Sequence, residues 1–305
     1  MIWSSSAIDA TPGRAIVYLH GVDGPISKKR LVKHLTRGLE KIGYADDHAW
    51  EDEITVPVYV RQLKGGKAAR RGTTDCKWSA AATTHLDREA YFERVAAVRP
   101  AALQFRRNPG HWRMSGTNVI VPSAFHGVRV TPTAFKGIAA DGQAKQLLRA
   151  AARSRIYLQD KKTRRTIWST VLGQWPTQPR VLVIAHSLGS VVLVDLLGRL
   201  PAGTGLDVIT LGSPLDAPCF HARTSRLRRR FPYARVNSWV NVRDPNDLVA
   251  WCGGLSHLLP GVIDVKVDTN GDHDVGKYLQ RQPVAAMVAR FLNDTAEEAP
   301  VAKPR

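Results

Sequence analysis

The stretch VLVIAHSLGSVVLVDLL, residues 181–197, sets Ser187 between two aliphatic runs. A hydroxyl buried there costs free energy unless it is hydrogen-bonded, so this serine calls for a partner or for a chemical task. The run before it reads as a buried strand and the run after it as a helix, which is the strand-turn-helix setting of a nucleophilic serine. Ala185 and Gly189 suit such a turn, because its flanks pack closely and a larger side chain would clash. Amides at the start of the following helix favour the negative charge that develops during acyl transfer. A serine nucleophile needs a base, and the base needs a group to orient it. His20, His186, His221, His257 and His273 supply imidazoles, and the loop NVRDPNDLVA offers the carboxylates Asp244 and Asp247.

The elements that must position these groups are legible in part. RAIVYLHG, residues 14–21, is a short apolar run that predicts a buried strand. From Ser27, a suitable N-cap, Leu31, Val32, Leu35, Leu39 and Ile42 recur at helical spacing until Gly43 stops the helix. ITVPVYV at 54–60 predicts a second strand, with Pro57 marking an edge or a bulge. Gly65, Gly66, Pro100, Pro109, Gly110, Pro122 and Pro132 punctuate residues 61–133, which read as an insertion holding one helical stretch near 80–98, after Ser79. A helical zone follows over 134–172, with breaks at Gly137, Gly142 and near Asp160, and Pro176 and Pro179 end it. The rhythm then becomes regular: strand 180–185, helix 188–200, strands 207–212, 234–242 and 262–267, and helix 276–292. Strands alternating with helices predict an α/β fold built on a mostly parallel, doubly wound sheet with helices on both faces. In such sheets ligands sit beyond the carboxyl ends of the strands, where the serine, the HG dipeptide and the candidate aspartates all fall.

On AHSLG at 185–189, YLHGVDG at 18–24 and GDHDVGKYL at 271–279, the chain resembles the α/β-hydrolase superfamily, in particular its lipases and esterases. Ala185 stands where the usual G-x-S-x-G pattern has its first glycine. The resemblance covers 14–24 and most of 180–292 and leaves 61–133 uncovered. It implies a single α/β-hydrolase domain over 1–305, with 61–133 as an inserted, lid-like region. It also implies that Ser187 is the nucleophile, that the N–H groups of Val22 and Leu188 form the oxyanion hole, and that His20 only stabilises its loop. The family order of serine, acid, histidine points to His273, after the last strand, as the base; His221 and His257 lack that setting. An aliphatic pair after the acid favours Asp247 over Asp244, which would brace the loop. LGSPL at 211–215 resembles the family as a structural turn beside the serine. The reaction implied is ester hydrolysis through an acyl-enzyme, with no cofactor and no metal. Two alternatives are a catalytically silent hydrolase fold that only binds, and an amidase or peptidase using the same three residues.

Bulk properties bound this reading. At 305 residues and 44% hydrophobic, the chain can bury a substantial core. It shows no long apolar run and no signal-like start, so a soluble, cytoplasmic protein is expected. Cys76, Cys219 and Cys252 are widely spaced and form no CxxC pair, which argues for reduced thiols over a disulfide framework or a zinc site. The net charge of +18 concentrates at 61–113, 145–165 and 223–235. Placed at the mouth of the site, the arginines of RTSRLRRRF would suit an anionic membrane surface or an acidic ligand beside a small-molecule or lipid ester substrate. No nucleic-acid-binding motif accompanies them, so specific nucleic-acid binding is not expected.

Overall fold

Among the described residues, six strands form one all-parallel sheet in the order β2-β1-β3-β4-β5-β6, with β1 at Arg14–Leu19, β2 at Ile54–Thr55, β3 at Arg180–His186, β4 at Gly205–Leu211, β5 at Val236–Arg243 and β6 at Ile263–Lys266. The structure, a computed structural model, describes residues 13–44, 49–64, 84–103, 152–247, 249–250 and 254–293. Strands buried on both faces need continuous aliphatic runs instead of alternation, and β1 and β3 supply them in register, with Ile16 beside Leu182 and Tyr18 beside Ile184. The expected strand at 54–60 shrinks to Ile54–Thr55 at the sheet edge, because Pro57 has no N–H to extend the ladder.

The described helices longer than one turn are α1 (Lys28–Glu40), α2 (His85–Leu103), α3 (Lys161–Leu172), α4 (Leu188–Leu196), α5 (His221–Arg229), α6 (Val275–Leu279) and α7 (Gln282–Asn293), with a further helical stretch at 152–159. The β1–α1–β2 connection runs towards one edge of the sheet, whereas β3–α4–β4 and β4–α5–β5 run towards the other. Parallel crossovers are right-handed, so α1 covers one face and α4 and α5 the opposite one. Helix α7 packs on α1, and α2 packs on α7, β5 and β6, which places both on the α1 face. The order reverses between β1 and β3, and the crevice at their carboxyl ends is where ligands bind in open α/β sheets.

Local chemistry sets the helix ends. Ser27 caps α1 by accepting from the Arg30 N–H, and the stripe Leu31, Leu35 and Leu39 goes into the core. Asp160 caps α3 through the Lys162 N–H at 2.8 Å, at the expected break. The helical stretch expected near 80–98 ends later, at Leu103, running through Pro100. A reciprocal pair at Thr84 and Asp87 starts it; Ser79 lies outside the described residues. The single helix expected at 276–292 divides into α6 and α7 ahead of Pro283, whose missing N–H suits the first turn of α7.

Two placements bear on the mouth of the site. Helix α2, inside the stretch read as lid-like, buries Tyr91, Val95, Val98 and Ala102, and its Arg94 donates to the carbonyls of Tyr233 and Val236 at the entry of β5. It is a layer of the body at the far end of the sheet; residues 104–133 lie outside the described ones. The arginine run belongs to α5 and its exit. Arg223 pairs with Asp195 at 3.2 Å, and Arg235 donates to the Leu197 and Leu200 carbonyls. Because α5 carries the chain from the end of β4 back to the start of β5, the exposed Arg228, Arg229 and Arg230 lie towards the amino edge of the sheet, away from the crevice. Among the described residues no helix is long and apolar enough to cross a membrane.

Candidate active site

Ser187 is the single residue between β3 and α4, and it holds φ 53° and ψ −125°. A positive φ costs a residue with a side chain about 1–3 kcal/mol, so the surroundings must over-determine it. They do so from three sides. The Ser187 N–H donates to the Leu211 carbonyl at 3.0 Å, while the Ser187 carbonyl accepts from the Ser190 N–H at 3.0 Å and the Ser190 hydroxyl at 2.7 Å. Since the Ser190 proton is committed there, Ser213 must donate to Ser190 Oγ across 2.7 Å, and Ser213 Oγ accepts from the Leu215 N–H at 3.3 Å. This relay ties the turn to the segment after β4. A Cβ on Gly189 would lie 2.2 Å from the Leu19 carbonyl oxygen, so glycine alone lets α4 begin directly on the end of β1. After all this bracing, Ser187 Oγ itself has no hydrogen-bond partner among the described residues.

The loop after β1 faces that turn: a Cβ on Gly21 would sit 2.9 Å from Ser187 Cβ. His20 is buried, stacked on Tyr59 at 3.8 Å between ring centroids. The Tyr59 N–H donates to His20 Nε2 at 3.1 Å, so the imidazole proton is on Nδ1 and goes to the Gly21 carbonyl at 2.7 Å. Burial, only partly opposed by that bond, lowers the His20 pKa to about 4 and keeps it neutral near pH 7. In a trans peptide the N–H points opposite the C=O, so holding the Gly21 carbonyl also aims the Val22 N–H. Arg153 fastens the next residues, donating to the Val22 carbonyl at 2.7 Å and to Asp23 at 3.0 Å. Neither the Val22 N–H nor the Leu188 N–H, the first of α4, has an acceptor among the described residues.

Asp244 and Asp247 divide their work. Asp244 accepts from the Thr269 N–H and hydroxyl, the Gly271 N–H and the Asn246 N–H, fixing the loop that leads to His273. Asp247, fully buried, accepts from His273 Nδ1 at 2.7 Å, from the Tyr278 hydroxyl at 2.7 Å and from the Val249 N–H at 2.8 Å. Burial pushes its pKa up, but the nearby imidazole and these three donors outweigh that and leave it below the usual carboxylate range. An ionised carboxylate only accepts, so His273 carries a proton on Nδ1. Its Nε2 is buried without a partner among the described residues. His186, the neighbour of Ser187, donates from Nε2 to the His273 carbonyl at 3.1 Å, with the two rings 4.6 Å apart. Burial, reinforced by the neighbouring His273 ring, lowers the His186 pKa to about 3, so it is a neutral brace. Gly212, at φ 53°, gives the pair room: a Cβ there would come 3.0 Å from both Asp247 Oδ2 and His273 Cε1.

The structure thus brings His273 to Asp247 and holds both against the residue preceding Ser187. It draws no hydrogen bond between Ser187 Oγ and His273 Nε2, a contact that often tightens only when substrate is bound. His221 and His257 both engage Asp216 instead. Sequence reasoning passed over Tyr59, Tyr278 and the Ser190–Ser213 relay. Only LGSPL, read as a structural turn, hinted at the last of these. Among the described residues no group of His, Cys, Asp and Glu could hold a metal ion. Comparison with family models, with curated proteins and with solved structures finds no match to this chain.

Proposed function

We propose that this protein is a serine hydrolase with an α/β-hydrolase fold that cleaves carboxylic esters of small molecules or lipids. One observation carries the reading: a histidine oriented by a buried carboxylate keeps a buried Nε2 without a partner among the described residues, and its ring centroid lies 4.6 Å from that of His186, the neighbour of a serine held in a strained strand-to-helix turn. His273 takes the Ser187 proton on Nε2 as Oγ attacks the ester carbonyl, and Asp247 stabilises the imidazolium without taking its proton. The Val22 and Leu188 amides receive the oxyanion, and no solvent has to reorganise as charge develops there. Collapse expels the alcohol, protonated by His273, and leaves the acyl group on Ser187. Water, deprotonated by the same imidazole, then releases the acid and restores the hydroxyl.

A fluorophosphonate probe tests this directly. The protein should be labelled at Ser187 and should turn over p-nitrophenyl esters, and Ser187→Ala should lose both while melting like the wild type. A folded wild type that is neither labelled nor active would leave a silent, ligand-binding version of the fold as the better reading.

A further inference from the structure

We infer that Tyr278 is a positioning residue for the reaction, a fourth member that extends the serine–histidine–aspartate chain by one hydrogen bond. The inference rests on the serine-hydrolase reading and deepens it. The Tyr278 hydroxyl donates to Asp247 Oδ2 at 2.7 Å, the same oxygen that accepts from His273 Nδ1 at 2.7 Å. It accepts in turn from the Asp244 N–H at 3.1 Å, so its proton can point only at Asp247. The ring is fully buried, and α6 carries it five residues after His273; the short segment 273–278 therefore supplies both donors to a single oxygen. Burial, with Asp247 beside it, pushes the phenol far above the usual range, so it stays a donor wherever the carboxylate is ionised.

Its effect on the chemistry is specific. Sharing Oδ2 with a neutral donor spreads the carboxylate charge, which tempers how strongly Asp247 draws the proton-bearing form of His273. It also locks the carboxylate plane, and with it the Nδ1–Oδ2 axis of the imidazole. Without the hydroxyl, Oδ2 would serve His273 alone and become a stronger acceptor. The protonated imidazole would then be favoured, and the bare Nε2 needed to start the reaction would appear only at higher pH. The other titratable or charged groups around the pair among the described residues include His20 from the loop after β1, His186 from β3, Asp244 after β5, Asp272 beside His273 with its partner Lys277, and Asp274 at the start of α6. All of them are unchanged when only the hydroxyl is removed.

The test is the rate of fluorophosphonate labelling against pH for three proteins: wild type, Tyr278→Phe, and protein with 3,5-difluorotyrosine at 278. Loss of a hydrogen bond to a charged group should slow Tyr278→Phe about 10-fold near neutrality, and its acid limb should move to higher pH. The fluorinated phenol is a stronger donor of nearly the same shape and should move that limb to lower pH. Opposite shifts cannot come from packing alone, and the fluorinated protein keeps the test open where the phenylalanine variant fails to fold. An acid limb that stays put in the fluorinated protein, or in folded Tyr278→Phe, overturns the inference while the labelled wild type leaves the hydrolase reading standing. A folded wild type that no probe labels at any pH overturns both.

Discussion

The two halves of the candidate site are built in opposite ways. On the aspartate side every carboxylate oxygen is spoken for: Asp247 accepts from three donors and Asp244 from four. On the serine side the backbone is held as firmly, yet Ser187 Oγ, His273 Nε2 and the Val22 and Leu188 amides are left without partners among the described residues. A buried polar atom without a partner, as His273 Nε2 is among the described residues, costs on the order of 1–3 kcal/mol. The contrast separates atoms that must stay in place from atoms that must stay free. It also explains why the two neighbouring aspartates, three residues apart, are not interchangeable.

The sharpest way to break this contrast is to change each aspartate in turn. Asp247→Asn should fold normally and lose roughly 10⁴-fold in labelling and ester turnover, because an amide leaves His273 in the wrong tautomer. Asp244→Asn should retain much of the chemistry and instead lower the melting temperature, since it weakens the brace of the loop leading to His273. Thermal melts alongside turnover separate the two outcomes, and equal losses of activity would erase the distinction.

A smaller effect is expected on the serine side. His20→Phe keeps the stack on Tyr59 but removes the Nδ1–H that holds the Gly21 carbonyl. Turnover should fall about 10- to 100-fold with KM little changed, the pattern of a misaimed oxyanion donor. The same variant tests a pH effect. The folded pKa of His20 is depressed to about 4, so below pH 6.5 the unfolded chain binds a proton that the folded one refuses. Wild-type stability should therefore fall as pH drops from 6.5 to about 4, by an amount on the order of 2–3 kcal/mol from this residue. Denaturant titrations across that window should show a shallower fall in His20→Phe. The smallest effect belongs to the relay behind the elbow: Ser213→Ala should cost about 1 kcal/mol in chemical denaturation and change turnover only a few-fold.

Local patterns revealed a good deal of this. The strand cores of β1, β3 and β4 and the cap and apolar stripe of α1 follow from aliphatic runs and 3.6-residue spacing, which depend on neighbours in the chain. Ser187, Gly189 and the HG dipeptide stood out because a strand-to-helix turn imposes its demands within a few residues. The pairing of His273 with Asp247 was harder to read, since nothing in NVRDPNDLVA distinguishes a carboxylate that braces a loop from one that meets an imidazole 26 residues away. Tyr278 gave no signal at all; a tyrosine on a short helix reads as core until its hydroxyl is seen on Asp247.

The sequence by itself therefore determined the strand and helix types, the strained turn at Ser187 and the residue types available for acyl transfer, because those rest on short-range periodicity and sterics. Tertiary structure decided the strand order, and with it the crevice between β1 and β3. It also decided which aspartate meets His273, which tyrosine meets that aspartate, and that the arginines of α5 lie at the opposite end from the serine. These are relations between segments far apart along the chain, and hydrogen bonds between such segments form only after the sheet has fixed where each strand ends.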